Sequence, residues 1–205
     1  MEFFLIAGAV GAWAAIHSWL ASARIKARVR ERLGDASMRL YRLSYNVLSA
    51  LTFAPLWLLV RALPDQVLYR ISPPWAYVLT GGQAVSAMLL VLAALQTNAL
   101  HFVGLAQLVG SRAVPAIVTT GFYRIVRHPI YLLGLLVMWL TPVLSMNQLA
   151  LYLVLTIYVF VGASLEERRL LQEFGATYDD YRSRTPMVIP GWRAARRTMG
   201  QSAQD

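Results

Sequence analysis

The sequence predicts an all-α integral membrane fold: about five transmembrane helices, a short C-terminal helical hairpin and a cytoplasmic C-terminal segment. Three observations carry this. The chain is 58% hydrophobic and only 14% charged, where a soluble domain holds about 45–50% and about 25%. Long uncharged runs recur along it. Its lysines and arginines also sort to one side of those runs.

The first run spans about Phe3 to Leu20, the second Leu43 to Val60 and the third Trp75 to Leu95. Each approaches the roughly 20 residues that a span needs. The first has no basic leader and no small-residue cleavage site, so it is expected to stay as a span. Between the first two runs, Arg24 to Leu33 reads as a short basic helix lying on the membrane surface. Asn98 to Gly110 reads as an interfacial loop or short helix. The fourth and fifth runs, Ile130 to about Ser145 and Leu149 to Leu165, are short. Ser145-Met146-Asn147-Gln148 between them reads as a tight polar turn. Residues 1–192 then form a single transmembrane domain, and 193–205 form a frayed basic tail.

Five spans put loop one, loop three and the C-terminal segment on one side. That side holds 17 of the 19 cations, and the other holds only Arg61 and Arg70. The bias places the N-terminus outside and the C-terminus in the cytoplasm. The formal net charge of +9 is therefore membrane orientation and headgroup attraction, so membrane lipids are expected partners and nucleic acid is not. The absence of cysteine excludes disulfides, a thiolate nucleophile and cysteine-ligated metal. No metal site is expected.

The chemistry concentrates in Arg127-His128-Pro129-Ile130-Tyr131-Leu132-Leu133-Gly134. Pro129 suits the first turn of a helix, where its missing N–H is not needed. His128 then sits near the cap, beside free amides and the positive dipole end. Such a terminus with Arg127 suits a carboxylate. Tyr131 shares the face of His128, and Gly134 leaves room for a ligand or a partner helix. On composition habits alone, these residues also fit an interfacial anchor. Glu166 and Glu167 shift that balance. They close the fifth run, whose antiparallel course returns them to the membrane face of Arg127 and His128. Acids at the edge of hydrocarbon are costly and tend to be kept for a partner or ligand. Pairing with Arg169 or Arg182 on a helix extension is the plainer alternative. Downstream, Tyr178 and Tyr181 are three apart and share a helix face, either over a pocket or at the headgroup level. His17, inside the first span, either pairs with a neighbouring helix or shapes an acceptor pocket.

The order R-H-P-x-Y-x-x-G, short hairpin, E-E, F-G-x-x-Y-x-x-Y and closing P-x-x-I-P, over about Thr119 to Pro190, resembles the integral membrane methyltransferases. These include the isoprenylcysteine carboxyl methyltransferases and the bacterial phospholipid N-methyltransferases. His17-Ser18, Tyr41-Arg42 and Phe102-Val103-Gly104-Leu105-Ala106-Gln107 add a closer likeness. They look like methanethiol S-methyltransferases and a related group of small denitrification-associated membrane proteins. Asn98-Ala99-Leu100-His101-Phe102 departs from the thiol enzymes, which bears on the acceptor more than on the donor.

The resemblance implies S-adenosylmethionine as methyl donor and a location in a bacterial inner membrane. It implies a cofactor site made of Arg127, His128, Pro129, Tyr131, Gly134, Glu166, Glu167, Tyr178 and Tyr181. Arg127 and the helix terminus suit the donor's carboxylate, a glutamate its ammonium or ribose, and the tyrosines its sulfonium or adenine. No glycine-rich dinucleotide loop is present. In-line displacement in a dry cavity is the expected reaction, with Arg127, His128 and His101 as catalytic candidates. Arginines lower an acceptor thiol's pKa, and His101 or His128 takes its proton. The expected acceptor is a small or lipophilic molecule, a thiol first, then a prenylcysteine carboxylate or a lipid amine. A non-catalytic accessory role on the same fold stays open. The oligomeric state is not legible.

Overall fold

The computed structural model describes residues 1–34, 36–97 and 117–191. Asn98 to Gly110, with His101 and the Phe102–Gln107 stretch, and the 193–205 tail lie outside these residues. Four described helices are long and apolar enough to cross a membrane. They are α1 (Glu2–Ala21), α3 (Ser37–Ala62), α4 (Trp75–Gln96) and α6 (Met146–Phe174). Most of their large apolar side chains face outward, as in a bundle whose solvent is lipid. The expected surface helix forms as α2 (Ala23–Leu33). Ser22 begins it by accepting the Ile25 amide, and Gly34 ends it.

The fourth apolar run differs from expectation. It contributes α5 (Pro129–Trp139), an 11-residue helix of roughly 16 Å, about half a hydrocarbon core. The chain then runs extended to strand β2 (Val143–Ser145), which pairs antiparallel with β1 (Val67–Arg70). Val67 faces Ser145 and Arg70 faces Val143.

Ser145–Gln148 does not form the tight turn between two short helices that the sequence suggests. These residues start the 29-residue α6. Ser145 Oγ accepts the Gln148 amide at 3.3 Å, and Gln148 Oε1 accepts the Ser145 amide at 3.1 Å. This is the reciprocal cap that S/T-x-x-E/Q spells. Asn147, one residue in, is buried. Its Nδ2 donates to the carbonyls of Val60, Leu63 and Pro64 at 3.2–3.3 Å, tying α6 to the end of α3.

The core lies toward this end, where Ile6 and Val10 of α1 meet Val60, Leu144, Ala150, Leu151 and Tyr152. That contact sets α1 and α6 side by side and parallel, with Trp13 and Tyr158 in ring contact further along. At the opposite end Gly175 (φ +53°) turns the chain sharply, a backbone that suits glycine. Helix α7 (Ala176–Arg184) then folds back over the start of α5.

Candidate functional site

Opposite the sheet, the start of α5, the end of α6 and the start of α7 converge. Pro129 opens α5 at its first position and His128 caps it. The Leu132 amide bonds to His128 O, so Ile130 and Tyr131 supply the free first-turn amides. The preceding backbone is clamped by the C-terminal segment: Arg127 N–H donates to Pro186 O at 2.9 Å and His128 N–H to Met187 O at 3.0 Å.

The charges meet as their spacing suggested. Arg127 Nε lies 2.6 Å from Glu167 Oε1, with both side chains largely buried. Arg127 Nη1 also donates to the carbonyls of Arg182, at 2.9 Å, and of Thr185. His128 Nε2 stands 3.3 Å from Glu167 Oε1, and Nδ1 stands 3.8 Å from Glu166 Oε2. The Tyr131 hydroxyl donates to Glu166 Oε2 at 2.9 Å, and its ring stacks on His128 at 5.2 Å. The two glutamates thus divide their partners. Glu167 balances Arg127 and His128, while Glu166 faces a cavity.

That cavity, about 250 Å³, is lined among the described residues by Thr97, Ile117, Val118, Tyr123, Arg127, His128, Ile130, Tyr131, Glu166, Leu170, Tyr178 and Tyr181. Tyr181 donates to Tyr123 O at 2.6 Å. Burial pushes its pKa up to about 12, with Arg127 opposing. Tyr178 is 1% exposed, and its hydroxyl finds no hydrogen-bond partner among the described residues. Burial first, then the nearby Glu167 carboxylate, raise its pKa well above the usual phenol value. It therefore stays a neutral donor. A buried phenol without a partner costs about 1–3 kcal/mol, so this one reads as waiting for an acceptor.

Of the residues that the sequence singled out, Arg127, His128, Tyr131, Glu166, Tyr178 and Tyr181 line the cavity. Glu167 stands behind Arg127. Pro129 is buried at the helix start, and Gly134 faces Leu90 of α4. His101 lies outside the described residues. Sequence reasoning missed Tyr123 and the support beneath it. Gly121 (φ +59°) begins the short turn Gly121–Arg124, and Gln96 Oε1 accepts the Phe122 amide at 3.2 Å. A Cβ at Gly121 would land 2.5 Å from the Gln96 amide. The glycine itself was the available signal.

The family model for phospholipid methyltransferases matches residues 75–177. Methanethiol S-methyltransferase 1 of Bradyrhizobium diazoefficiens is 35% identical over 157 residues, 74% of this chain and 55% of that protein. Methanethiol S-methyltransferase 2 of the same organism is 50% identical over 76 residues, 37% of this chain and 29% of that protein. Methanethiol S-methyltransferase of Mycobacterium tuberculosis is 40% identical over 68 residues, 33% of this chain and 28% of that protein. The chain thus spans about half or less of the length of the relatives it matches. No solved structure matches it.

Proposed function

This chain belongs to the phospholipid methyltransferase family, and from that premise we propose that it is an S-adenosylmethionine-dependent membrane enzyme that methylates a small thiol. The single observation that carries the reading is the Tyr178 hydroxyl, unpartnered among the described residues, beside a cavity that also presents Glu166, Tyr131 and the first turn of α5. The similarity to methanethiol S-methyltransferases supports a thiol acceptor.

The donor set fits a zwitterionic sulfonium nucleoside. Glu166 spends one oxygen on Tyr131 and keeps the other for an ammonium or ribose hydroxyl. The Ile130 and Tyr131 amides and the positive end of α5 suit a carboxylate. Arg127 acts mainly by position, since Nε and Nη1 already serve Glu167 and two carbonyls; its charge still adds to the field. Tyr178 donates its free proton to the ligand, and the phenol faces of Tyr131 and Tyr181 suit a cation. When bound, S-adenosylmethionine supplies an electrophilic methyl group on a charged sulfur. The protein's share is to orient that group, exclude water and line up the acceptor. The arginine bias reads this end of the bundle as cytoplasmic.

Calorimetry with S-adenosylhomocysteine and a mass-spectrometric methyl-transfer screen test the reading. The screen offers small thiols, prenylcysteines and aminolipids to the protein in lipid nanodiscs. Micromolar binding and a methylated thiol are expected. Binding with methylation of only a prenylcysteine or lipid amine would replace the acceptor. No binding at millimolar ligand would leave the accessory role.

A further inference from the structure

His128 lines the cavity and is buried, yet it has no task in the donor set above. A carboxylate oxygen stands at each of its ring nitrogens. Glu167 Oε1 is 3.3 Å from Nε2, and Glu166 Oε2 is 3.8 Å from Nδ1. A neutral imidazole offers one N–H and an imidazolium two, while a carboxylate only accepts. Nε2 faces the closer oxygen and keeps its proton, so Nδ1 is the position that gains or loses one. Bare, Nδ1 turns a lone pair toward Glu166; protonated, the ring has a favourable contact on both sides. The Tyr131 ring, stacked at 5.2 Å, also suits a cationic neighbour.

The charges point the same way. Arg127 brings one positive charge to the cluster, and Glu166 and Glu167 bring two negative ones. An imidazolium at His128 makes the four side chains neutral together. The Arg127 guanidinium and the positive end of α5 oppose it. The other ionisable groups of the cavity are phenols. Burial raises the pKa of Tyr123, Tyr178 and Tyr181 from an already high value, so these stay neutral near pH 7. Histidine is the side chain whose charge ordinarily changes between about pH 5 and 8. His128 is the one histidine lining the cavity among the described residues.

S-adenosylmethionine carries a carboxylate, an ammonium and a sulfonium, one net positive charge. S-adenosylhomocysteine differs by one methyl group and by that charge, since its thioether is neutral. In a cavity of about 250 Å³, a sulfonium and an imidazolium are like charges at close range and partly out of water, so the pair is disfavoured. The sulfonium has no proton to release; the ring has one.

Resting on the donor reading above, we propose that His128 is the proton store of the site, giving up its Nδ1 proton when the methyl donor binds and holding one again once the methyl group has left. In thiol methylation the S–H bond of the acceptor breaks and its sulfur forms the new S–CH3 bond. The bond between that methyl group and the donor sulfur breaks, and its electron pair stays on the donor sulfur. One positive charge vanishes from the donor as one proton leaves the thiol. That proton goes to Nδ1, and the charge of the site is the same before and after transfer.

The test needs no acceptor. Calorimetry on wild type in nanodiscs, in buffers of different ionisation enthalpy, counts the protons exchanged as each ligand binds. Near pH ~6, S-adenosylmethionine is expected to release up to about one proton more than S-adenosylhomocysteine. Its affinity relative to the product is expected to rise by up to about tenfold per pH unit on the acid side of the histidine range. In His128→Gln the two ligands are expected to exchange the same number of protons, with a ratio of affinities that is flat with pH. Ring ¹⁵N spectra of wild type, assigned with single substitutions of His17 and His101, are expected to show a neutral His128 with the donor and an imidazolium with the product. His17, bonded to Trp13 O and Thr52 Oγ1 and not part of the cavity lining, is expected to keep one form throughout. Equal proton counts in wild type, a difference that persists in His128→Gln, or one ring form of His128 with both ligands would overturn the proposal. The ring spectra keep it testable if His128→Gln does not fold. A wild type that binds neither ligand would overturn the donor reading itself, and this inference with it.

Discussion

Two polar knots sit at opposite ends of α6, and they are built differently. At the sheet end no buried side-chain polar atom among the described residues lacks a partner. Asn147 spends its amide on three carbonyls, and Ser145 and Gln148 satisfy each other. Asp65 Oδ1 accepts the amides of Gln66 and Asn147. At the other end Arg127, His128, Glu166 and Glu167 crowd together, a cavity opens beside them, and Tyr178 has no partner among the described residues. Each knot has buried members, Ser145 and Asn147 at one end and His128 and Glu167 at the other, so burial of polar groups does not separate them. Completeness does. A saturated knot holds helices together; an incomplete one, kept at a cost in stability, holds something else.

The largest expected effect is at Glu167. Glu167→Ala leaves the buried Arg127 without its carboxylate, a loss of about 3–5 kcal/mol. Denaturation in detergent should show it, with S-adenosylhomocysteine binding lost in parallel. An unchanged melt would mean that the ion pair does not organise this end. Asn147→Leu comes next, at about 2–3 kcal/mol for the stranded carbonyls, with ligand affinity held at the wild-type value. If affinity fell instead, the two knots would be one coupled network.

Tyr178→Phe separates them most sharply. Stability should stay level or rise, since an unpaired hydroxyl disappears. S-adenosylhomocysteine affinity should fall about tenfold, or about 1.4 kcal/mol. Weaker folding at full affinity would reverse the assignment. The smallest effect is at Tyr181, whose hydroxyl bonds to Tyr123 O. Tyr181→Phe should cost about 1 kcal/mol. Its raised pKa of about 12 also sets a sign. The unfolded phenol ionises near ~10, so this contribution is intact below that pH and is lost as the pH climbs toward 12. Wild-type stability should decline across that window more steeply than that of the variant.

Most of the fold was legible because lipid makes simple demands. Long uncharged runs of this length become helices, since the helix is the form in which one segment satisfies its own backbone in hydrocarbon. The runs at Phe3–Leu20, Leu43–Val60 and Trp75–Leu95 therefore became α1, α3 and α4 with modest changes at their ends. Hydropathy alone said less about Ile130 to Ser145. An apolar run of that length suits a short helix or a helix plus a strand. The choice depended on β1, far away in sequence, being there to pair with β2. Ser145-Met146-Asn147-Gln148 carried a capping signature and the composition of a turn at once, and the carbonyls at the end of α3 decided between them.

At the site, the sequence by itself determined which residues meet. Arg127, His128, Glu166 and Glu167 sit at the feet of adjoining apolar helices, and returning the chain to one membrane face brings them together. Which glutamate neutralises Arg127, which faces the cavity, and that Tyr178 has no partner among the described residues were decided only by the tertiary structure. The physical reason is reach. Periodicity fixes a side chain's height and face within about a turn. Hydrogen bonds are made or missed over tenths of an ångström, and that precision comes from α7 and the Thr185–Met187 segment closing over the start of α5.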